Sequence, residues 1–285
     1  MRKLLCLIIY VGVMLLFIPS CTKDEPAEIF PTDEDVILKD ISYGSHERQK
    51  MDVYLPAGRN KQTTKMVIFI HGGGWIGGSK DDLPIDTSNI HVLKEQFPGF
   101  ALITLNYRLV TGSENRFPAA EEDIVRAMSH IYSNLESYQL ASETYMSGGS
   151  AGAHLAALYT LKHNPNGRIK GCIGVSGAYN LTSLYQTGNA EAKAVLEAFL
   201  GGTPQQQPEA YAQASPVNFV TSQAPKFLIL HGKEDLLTPI GQANELAAAL
   251  NAQGIEYTRF TYSGGHGIPG EHLAEAFAYI NDFLR

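Results

Sequence analysis

The sequence of 285 residues predicts an α/β domain with a mostly parallel central sheet and helices on both faces. Three observations support this prediction. Continuous apolar runs of strand length recur along the chain, as expected for strands that are buried on both faces. Segments with helical spacing follow several of these runs. The chain is 44% hydrophobic and 18% charged with three cysteines, which excludes a disordered chain and a disulfide scaffold.

The predicted elements alternate along the chain. Two early strands are predicted at residues 36–38 and 51–55, with Gly44-Ser45 as a turn between them. Residues 77–95 form a long polar excursion, and residues 181–222 are predicted to form a small insertion over the active site. Further strands are predicted at residues 65–70, 100–105, 143–147, 169–175 and 226–230, and helices at residues 124–135, 153–161, 245–251 and 273–283.

The N-terminus has the pattern of an export signal. A positive start precedes an uncharged run over residues 4–18, which has the length of a signal-peptide core and is short for a spanning helix. The run ends in Ile-Pro-Ser followed by Cys21, which resembles a bacterial lipobox, and an acidic patch follows it. We predict lipidation of Cys21 and export to the bacterial outer membrane, where such a patch can direct lipoproteins to the cell surface. Ordinary secretion with cleavage near Cys21 and an uncleaved anchor are the alternatives.

These features divide the chain into three parts. We predict a lipoprotein signal peptide over residues 1–20, a polar tether over residues 21–35 and one catalytic domain over residues 36–285. The formal net charge is −7 and no cluster of Lys or Arg is present, so a nucleic-acid partner is not expected.

A candidate nucleophile lies between a predicted strand and a predicted helix. Residues 148–152 read Gly-Gly-Ser-Ala-Gly, a G-x-S-x-G pattern centred on Ser150. A sharp turn from strand to helix would expose the serine hydroxyl above the sheet, and the flanking glycines permit strained backbone there. A glycine-rich loop without catalytic function is the alternative interpretation.

Two further regions supply donors for a negatively charged oxygen. Residues 71–75 read His-Gly-Gly-Gly-Trp after an apolar strand, and successive glycines leave backbone N–H groups unobstructed. We predict that two such donors, together with the N–H group of Ala151, hold the negative oxygen of a tetrahedral intermediate. A phosphate-binding loop is the alternative, but neither a Gly-Lys-Ser/Thr nor a dinucleotide-binding motif is completed. His71 is predicted to fix the loop rather than to act as a base.

A base and an orienting acid are expected nearer the C-terminus. His266 stands between glycines in Gly-Gly-His-Gly, before the last predicted helix, and His272 is the weaker candidate for the base. Asp235 or Glu234 follows the strand over residues 226–230, and Asp235 is favoured as the acid that orients the imidazole. His231, at the end of that strand, is predicted to be structural.

From about residue 51 onwards, the chain resembles α/β-hydrolases of the esterase and lipase group, which includes carboxylesterases similar to hormone-sensitive lipase. The segments MDVYLP at 51–56, HGGGW at 71–75, NYRL at 106–109, FPAAEEDI at 117–124 and SAGAHL at 150–155 look closest to the feruloyl and acetyl-xylan esterase branch. The resemblance implies an α/β-hydrolase fold, with Ser150 as nucleophile, Asp235 as orienting acid and His266 as base. It also implies that the N–H groups of Gly73, Gly74 and Ala151 form the oxyanion hole. The chain departs from lipase-like relatives at Gly149, where Asp is common, and at Ala153, where many have Gly.

The resemblance implies a serine carboxylic-ester hydrolase that works without a metal or organic cofactor. Short acyl or hydroxycinnamoyl esters of small molecules or polysaccharides are the expected substrates. An amide hydrolase of the same fold, similar to arylformamidases or peptidases, is one alternative, although those formamidases commonly carry a bulkier residue where Gly74 stands. A tethered binding protein with a catalytically dead hydrolase fold is the other.

Overall fold

The computed structural model describes residues 29–83, 85–86, 88 and 90–285. The predicted signal peptide, Cys21 and most of the predicted tether lie outside the described residues. Within the part of the chain that is described, no helix combines the length and the apolar composition needed to cross a membrane.

A twisted sheet of eight strands forms the centre of the described domain, in the order β1-β2-β4-β3-β5-β6-β7-β8. β2 pairs antiparallel with both of its neighbours, β1 and β4. All other neighbouring strands pair parallel. The prediction of a mostly parallel sheet is therefore confirmed. The strands are β1 (Val36–Ser42), β2 (Lys50–Leu55), β3 (Met66–Ile70), β4 (Ala101–Leu105), β5 (Thr144–Gly149), β6 (Ile169–Val175), β7 (Lys226–Gly232) and β8 (Tyr257–Tyr262).

The helices follow the strands in the alternating order expected of βα units. They are α1 (Ile90–Gln96), α2 (Ala119–Ser133), α3 (Leu135–Tyr138), α4 (Ala151–Lys162), α5 (Leu181–Thr187), α6 (Ala190–Leu200), α7 (Pro208–Gln213), α8 (Gly241–Ala252) and α9 (Leu273–Leu284), with 3₁₀ turns at Lys80–Asp82, Pro216–Phe219 and Gly270–His272.

Successive side chains of each central strand point to opposite faces of the sheet and pack into two separate hydrophobic cores. Ile68 on β3 packs into the larger core with α2, α4, α8 and the helices of the 181–222 insertion. Its neighbour Val67 packs into the smaller core with α1 and α9 on the opposite face. Both faces of the sheet are therefore covered, which explains why a central parallel strand such as β3 is continuously apolar.

Two regions differ in detail from the sequence prediction. The excursion over residues 77–95 contains a 3₁₀ turn and most of α1, and the strand at Tyr257–Tyr262 was not predicted. That strand lies at the edge of the sheet and buries only Phe260 and Tyr262, so it lacks a continuous apolar run.

Candidate active site

Ser150 lies at a sharp turn between β5 and α4. Its φ of +54° is in the left-handed region, which is rare for a residue with a side chain. A Cβ on Gly148 would lie 2.4 Å from the backbone of Gly152, and a Cβ on Gly152 would lie 2.0 Å from the carbonyl oxygen of Ile70. Both glycines are therefore required for the close approach of strand, turn and helix. The Ser150 N–H donates to the carbonyl of Val175 at 2.8 Å, which fixes the turn against β6.

Ser150 and His266 line one cavity of about 440 Å³ at the carboxyl ends of the parallel strands. Most of the cavity wall is apolar. The residues that line it are Gly73, Gly74, Trp75, Ile76, Ser150, Ala151, Ala178, Leu184, Glu191, Ala192, Val195, Leu196, Leu237, Thr238 and His266. A cavity at this edge of a parallel sheet is the usual position of an α/β active site.

The structure brings Asp235 and His266 into contact. The Nδ1 atom of His266 lies 2.8 Å from Oδ2 of Asp235. A carboxylate can only accept a hydrogen bond, so Nδ1 is the donor, and in the neutral imidazole Nε2 carries no proton. The side chain of Asp235 is fully buried, whereas that of His266 is 29% exposed on the cavity side of the pair. The imidazole is thus held in the tautomer that can accept a proton at Nε2.

The carboxylate of Asp235 remains ionised although it is buried. Burial by itself would raise the pKa of Asp235, but the hydrogen bonds from His266 and Thr238 outweigh it and hold the pKa below its usual value. Oδ1 accepts from the N–H groups of Leu237 at 3.0 Å and Thr238 at 2.9 Å, and Oδ2 accepts from the Thr238 hydroxyl at 2.8 Å.

Three backbone N–H groups of residues at the cavity wall have no acceptor in the described part of the chain. Among the described residues, the N–H groups of Gly73, Gly74 and Ala151 make no backbone or side-chain hydrogen bond. Gly73 and Gly74 have φ values of +95° and +59°, and a Cβ on Gly73 would lie 2.4 Å from the carbonyl oxygen of Gly77. Ala151 is the first residue of α4, where the helix dipole also favours negative charge. Such donors suit an oxyanion.

The other candidate histidines lie away from the cavity wall. His71 is buried and stacks on Tyr107, with ring centroids 4.3 Å apart. Burial lowers the pKa of His71 to about 4, so its ring is neutral. Its Nδ1 donates to the carbonyl of Gly72 at 2.8 Å, and this contact holds the glycine loop. His231 is also buried and donates from Nε2 to the carbonyl of Thr238 at 2.7 Å.

The weaker candidates for base and acid have other contacts. His272 lies 3.1 Å from the hydroxyl of Ser263 and packs against Tyr262. Glu234 is exposed and makes two hydrogen bonds to the backbone of Gly264. Its carboxylate accepts from the Gly264 N–H, and its own N–H donates to the Gly264 carbonyl at 3.0 Å. Neither residue lines the cavity.

Sequence reasoning missed the residues that hold the His266 loop. The Gly267 N–H donates to the Ser176 hydroxyl at 3.1 Å, and the Tyr262 hydroxyl donates to the Gly267 carbonyl at 2.9 Å. Thr238 Oγ1 lies 3.2 Å from Nδ1 of His266 and 3.0 Å from the Ser176 carbonyl. These contacts join segments that are far apart in sequence, so local sequence patterns do not predict them. Thr238 is the exception, because it stands three residues after Asp235 in the same turn.

The insertion over residues 181–222 supplies one wall of the cavity. Leu184 of α5 and Val195 of α6 face it, and a Cβ on Gly74 would lie 3.0 Å from Val195. Glu191, in the first turn of α6, and His266 are the ionisable side chains that line this cavity. The Glu191 carboxylate makes no hydrogen bond or ion pair within the described part of the chain. No described residue of the 77–95 excursion lines the cavity.

The described residues contain no group of three or more His, Cys, Asp or Glu that could hold a metal ion. The residues at the cavity wall supply a hydroxyl, an imidazole–carboxylate pair, the carboxylate of Glu191 and free amide donors.

The chain is similar to a protein family and to several known proteins. The BD-FAE family model matches residues 51–250 of the chain. A solved structure described as a truncated form of a carbohydrate esterase from gut microbiota superposes with a TM-score of 0.73 at 21% identity, and the match covers 90% of this chain and 99% of that one. At this identity the superposition confirms the α/β-hydrolase fold alone.

Curated relatives include both ester and amide hydrolases. A probable carboxylic ester hydrolase, LipM, of Mycobacterium tuberculosis is 28% identical over 220 residues, which cover 72% of this chain and 49% of LipM. A kynurenine formamidase of Danio rerio is 30% identical over 156 residues, which cover 53% of this chain and 49% of the formamidase. The chain thus spans about half the length of these relatives.

Proposed function

Because the chain belongs to the BD-FAE family, we propose that it is a serine hydrolase of carboxylic esters that acts through an acyl-enzyme. The observation that carries this proposal is the cavity itself. One wall presents Ser150, another presents His266 in contact with Asp235, and unpaired amide N–H groups lie beside the serine. These are the parts that acyl transfer by a serine requires.

In the first step, Oγ of Ser150 attacks the ester carbonyl carbon, and Nε2 of His266 takes the proton of the Ser150 hydroxyl. The carbonyl oxygen becomes negatively charged and accepts hydrogen bonds from the N–H groups of Gly73, Gly74 and Ala151. Loss of one donor of this kind typically costs about 3–4 kcal/mol of transition-state stabilisation. The carbon–oxygen bond to the alcohol then breaks, and the imidazolium returns its proton to the departing alcohol.

In the second step, a water molecule gives a proton to Nε2 of His266 and attacks the acyl carbon. The same amides hold the second oxyanion. The bond to Ser150 breaks, the serine oxygen regains the proton and the acid leaves. Asp235 stays ionised throughout and stabilises the imidazolium in both steps, in agreement with its lowered pKa.

We further propose esters of carbohydrates, with short acyl or hydroxycinnamoyl groups, as substrates. An apolar wall suits an acyl or aryl group, whereas the unpaired carboxylate of Glu191 can accept hydrogen bonds from the hydroxyls of a sugar alcohol. The superposed structure described as a carbohydrate esterase also supports this choice. Glu191→Gln keeps the size of the side chain and removes its charge. We expect it to lower kcat/KM for an acetylated xyloside relative to 4-nitrophenyl acetate, and an unchanged ratio would contradict the role of Glu191.

Hydrolysis of an amide is the second candidate, because the Danio rerio relative is a kynurenine formamidase. The same residues could cleave a formamide by the same two steps, with an amine as leaving group. A panel of acetylated xylan, methyl ferulate and N-formylkynurenine separates these activities by their kcat/KM values. We expect the esters to be preferred.

The test of the central proposal is hydrolysis of 4-nitrophenyl acetate by the purified protein and by Ser150→Ala. We expect the substitution to lower kcat by at least about 10⁴-fold, since the nucleophile is removed. Full activity in Ser150→Ala would contradict the mechanism. No hydrolysis of any substrate by the unsubstituted protein would instead indicate a binding protein with an inactive fold.

Attachment to a membrane through Cys21 is also proposed, on the lipobox resemblance alone. A lipid-modified protein should partition into the detergent phase of a Triton X-114 extract, and Cys21→Ser should move it to the aqueous phase. If the unsubstituted protein and Cys21→Ser both partition into the detergent phase, lipidation at Cys21 is contradicted.

A further inference from the structure

Trp75 holds the glycine loop in an unusual conformation. It follows Gly72–Gly74 directly, and its φ of +61° lies in the left-handed region, which is unfavourable for a bulky residue. Its indole is buried and stacks on Phe199 of α6, with ring centroids 4.2 Å apart and planes 7° from parallel. The side chain therefore fixes a backbone that would otherwise relax.

The polar end of the same indole is bound by His154. Nε1 of Trp75 donates to Nδ1 of His154 at 3.2 Å. An indole nitrogen can only donate, so Nδ1 is the acceptor and the imidazole proton is on Nε2. That proton is donated to the carbonyl of Ala214 at 2.7 Å. His154 is fully buried, and burial lowers its pKa to about 4, so the neutral tautomer persists at pH 7.

His154 belongs to the helix that begins at the nucleophile. It lies one turn after Ser150, and its N–H donates to the Ser150 carbonyl at 3.0 Å. One imidazole thus connects three parts of the protein, namely α4, the glycine loop through Trp75, and the insertion through Ala214. It does not line the cavity.

We propose that His154 is a positioning residue for the oxyanion hole. Its bond to Trp75 sets the distance between the amides of the glycine loop and those at the start of α4. The bond to Ala214 has a different role, because it anchors the insertion and does not reach the loop. This inference rests on the proposed function, since the amides matter only if an oxyanion forms beside Ser150.

The two bonds of His154 can be removed one at a time. His154→Asn places an amide oxygen near the position of Nδ1, so it retains an acceptor for Trp75 and loses the donor to Ala214. His154→Gln places its amide near the position of Nε2, so it retains the donor and loses the acceptor. Trp75→Phe removes the indole N–H and keeps an aromatic ring against Phe199.

The experiment measures kcat and KM for 4-nitrophenyl acetate, and inhibition by an alkyl trifluoromethyl ketone, which forms a tetrahedral adduct with an active-site serine. For His154→Gln and for Trp75→Phe we expect kcat to fall on the order of tenfold and the inhibition constant to rise by a similar factor, as for the loss of one hydrogen bond. The KM should change less than about twofold, because the interaction acts on the transition state. His154→Asn should stay within about threefold of the unsubstituted protein.

The double variant Trp75→Phe/His154→Gln should lose no more activity than either single variant, because both remove the same bond. Ser215→Ala is the matched control for a buried contact of the insertion, since the Ser215 hydroxyl bonds Leu181 and Tyr211 and does not contact the loop. It should lower the melting temperature and leave kcat unchanged.

Equal losses of kcat in His154→Asn and His154→Gln would overturn the proposal, as would losses that multiply in the double variant. If the His154 variants fail to fold, an unchanged kcat and inhibition constant in Trp75→Phe would overturn it on their own. Activity that survives in Ser150→Ala would count against the proposed function instead, so the two failures are distinguishable.

Discussion

Replacing Asp235 with asparagine should remove most of the esterase activity and leave the fold in place. The asparagine carbonyl can still accept from the N–H groups of Leu237 and Thr238, which bond Oδ1 in the native protein. Its amide NH₂ replaces Oδ2, which accepts from His266 and from the Thr238 hydroxyl, both at 2.8 Å. The substitution therefore turns an acceptor that faces His266 into a donor.

The expected effects on activity and on stability differ in size. A donor at this position pairs with Nδ1 of His266, so the imidazole proton moves to Nε2, where it blocks proton transfer from Ser150. A wrong tautomer of this kind lowers kcat by about 10⁴-fold in a serine triad. The loss of two hydrogen bonds to a charged acceptor should lower the free energy of unfolding by roughly 3–6 kcal/mol, less whatever the new contacts restore.

The assay is kcat for 4-nitrophenyl acetate at pH 8, together with urea unfolding of the same preparations. Glu234→Gln is the matched control, because Glu234 is adjacent in sequence, contacts Gly264 and lies outside the cavity wall. We expect the control to lose less than about fivefold in kcat. A loss below tenfold in folded Asp235→Asn would refute the assignment of Asp235, and a large loss in Glu234→Gln alone would transfer the role to Glu234.

Three further outcomes follow from the packing and the charges. Gly152→Ala should lower the free energy of unfolding by more than about 3 kcal/mol, because its Cβ would lie 2.0 Å from a carbonyl oxygen of β3; urea unfolding at the native midpoint would contradict this. Val195→Ala should widen the cavity and raise the ratio of kcat/KM for 4-nitrophenyl butyrate over acetate on the order of tenfold, and a constant ratio would exclude Val195 as a limit on acyl size. Glu121 is buried, which would raise its pKa, but contacts with His163 and Lys162 lower the pKa below 4.5. The ionised Glu121 carboxylate should therefore stabilise the fold fully above pH 4.5, and this stabilisation should disappear as the pH falls below that value. The difference in unfolding free energy between the native protein and Glu121→Gln should shrink from pH 6 to pH 3. A constant difference would contradict this role of Glu121.

Most strands of the parallel sheet could be predicted because they are buried on both faces. Ile169–Val175, for example, is apolar apart from Lys170, and the structure confirms β6 at these residues. The edge strand Tyr257–Tyr262 could not be identified this way, since one neighbour and partial exposure leave polar residues within it. The short helix α1 was missed for a similar reason, because it buries few residues and lies within a polar stretch.

The candidate site was predictable where its residues stand in short motifs. Ser150 and the glycines around it form one continuous segment, and the structure explains their spacing by the contacts that a Cβ would make at Gly148 and Gly152. By contrast, Ser176 supports the His266 loop from a distance of 91 residues in sequence. A contact of that kind depends on the order of strands in the sheet, which no local pattern encodes.

The wall formed by the insertion was predictable only in outline. Prolines and short helical segments indicated an insertion over residues 181–222, but nothing in its composition indicated that Glu191 and Val195 face the cavity. Which side of a helix faces the site depends on how α5 and α6 pack against the glycine loop, and that packing is tertiary.

The central claim is that Ser150 forms a covalent bond to the acyl group, and a fluorophosphonate tests it most directly because it traps only an activated serine. Intact mass and peptide mapping should find one adduct per chain, at Ser150, with hydrolysis lost in proportion to labelling and no adduct in His266→Ala on the same timescale. Stoichiometric labelling at another residue, or full hydrolysis by a protein labelled at Ser150, would contradict the claim.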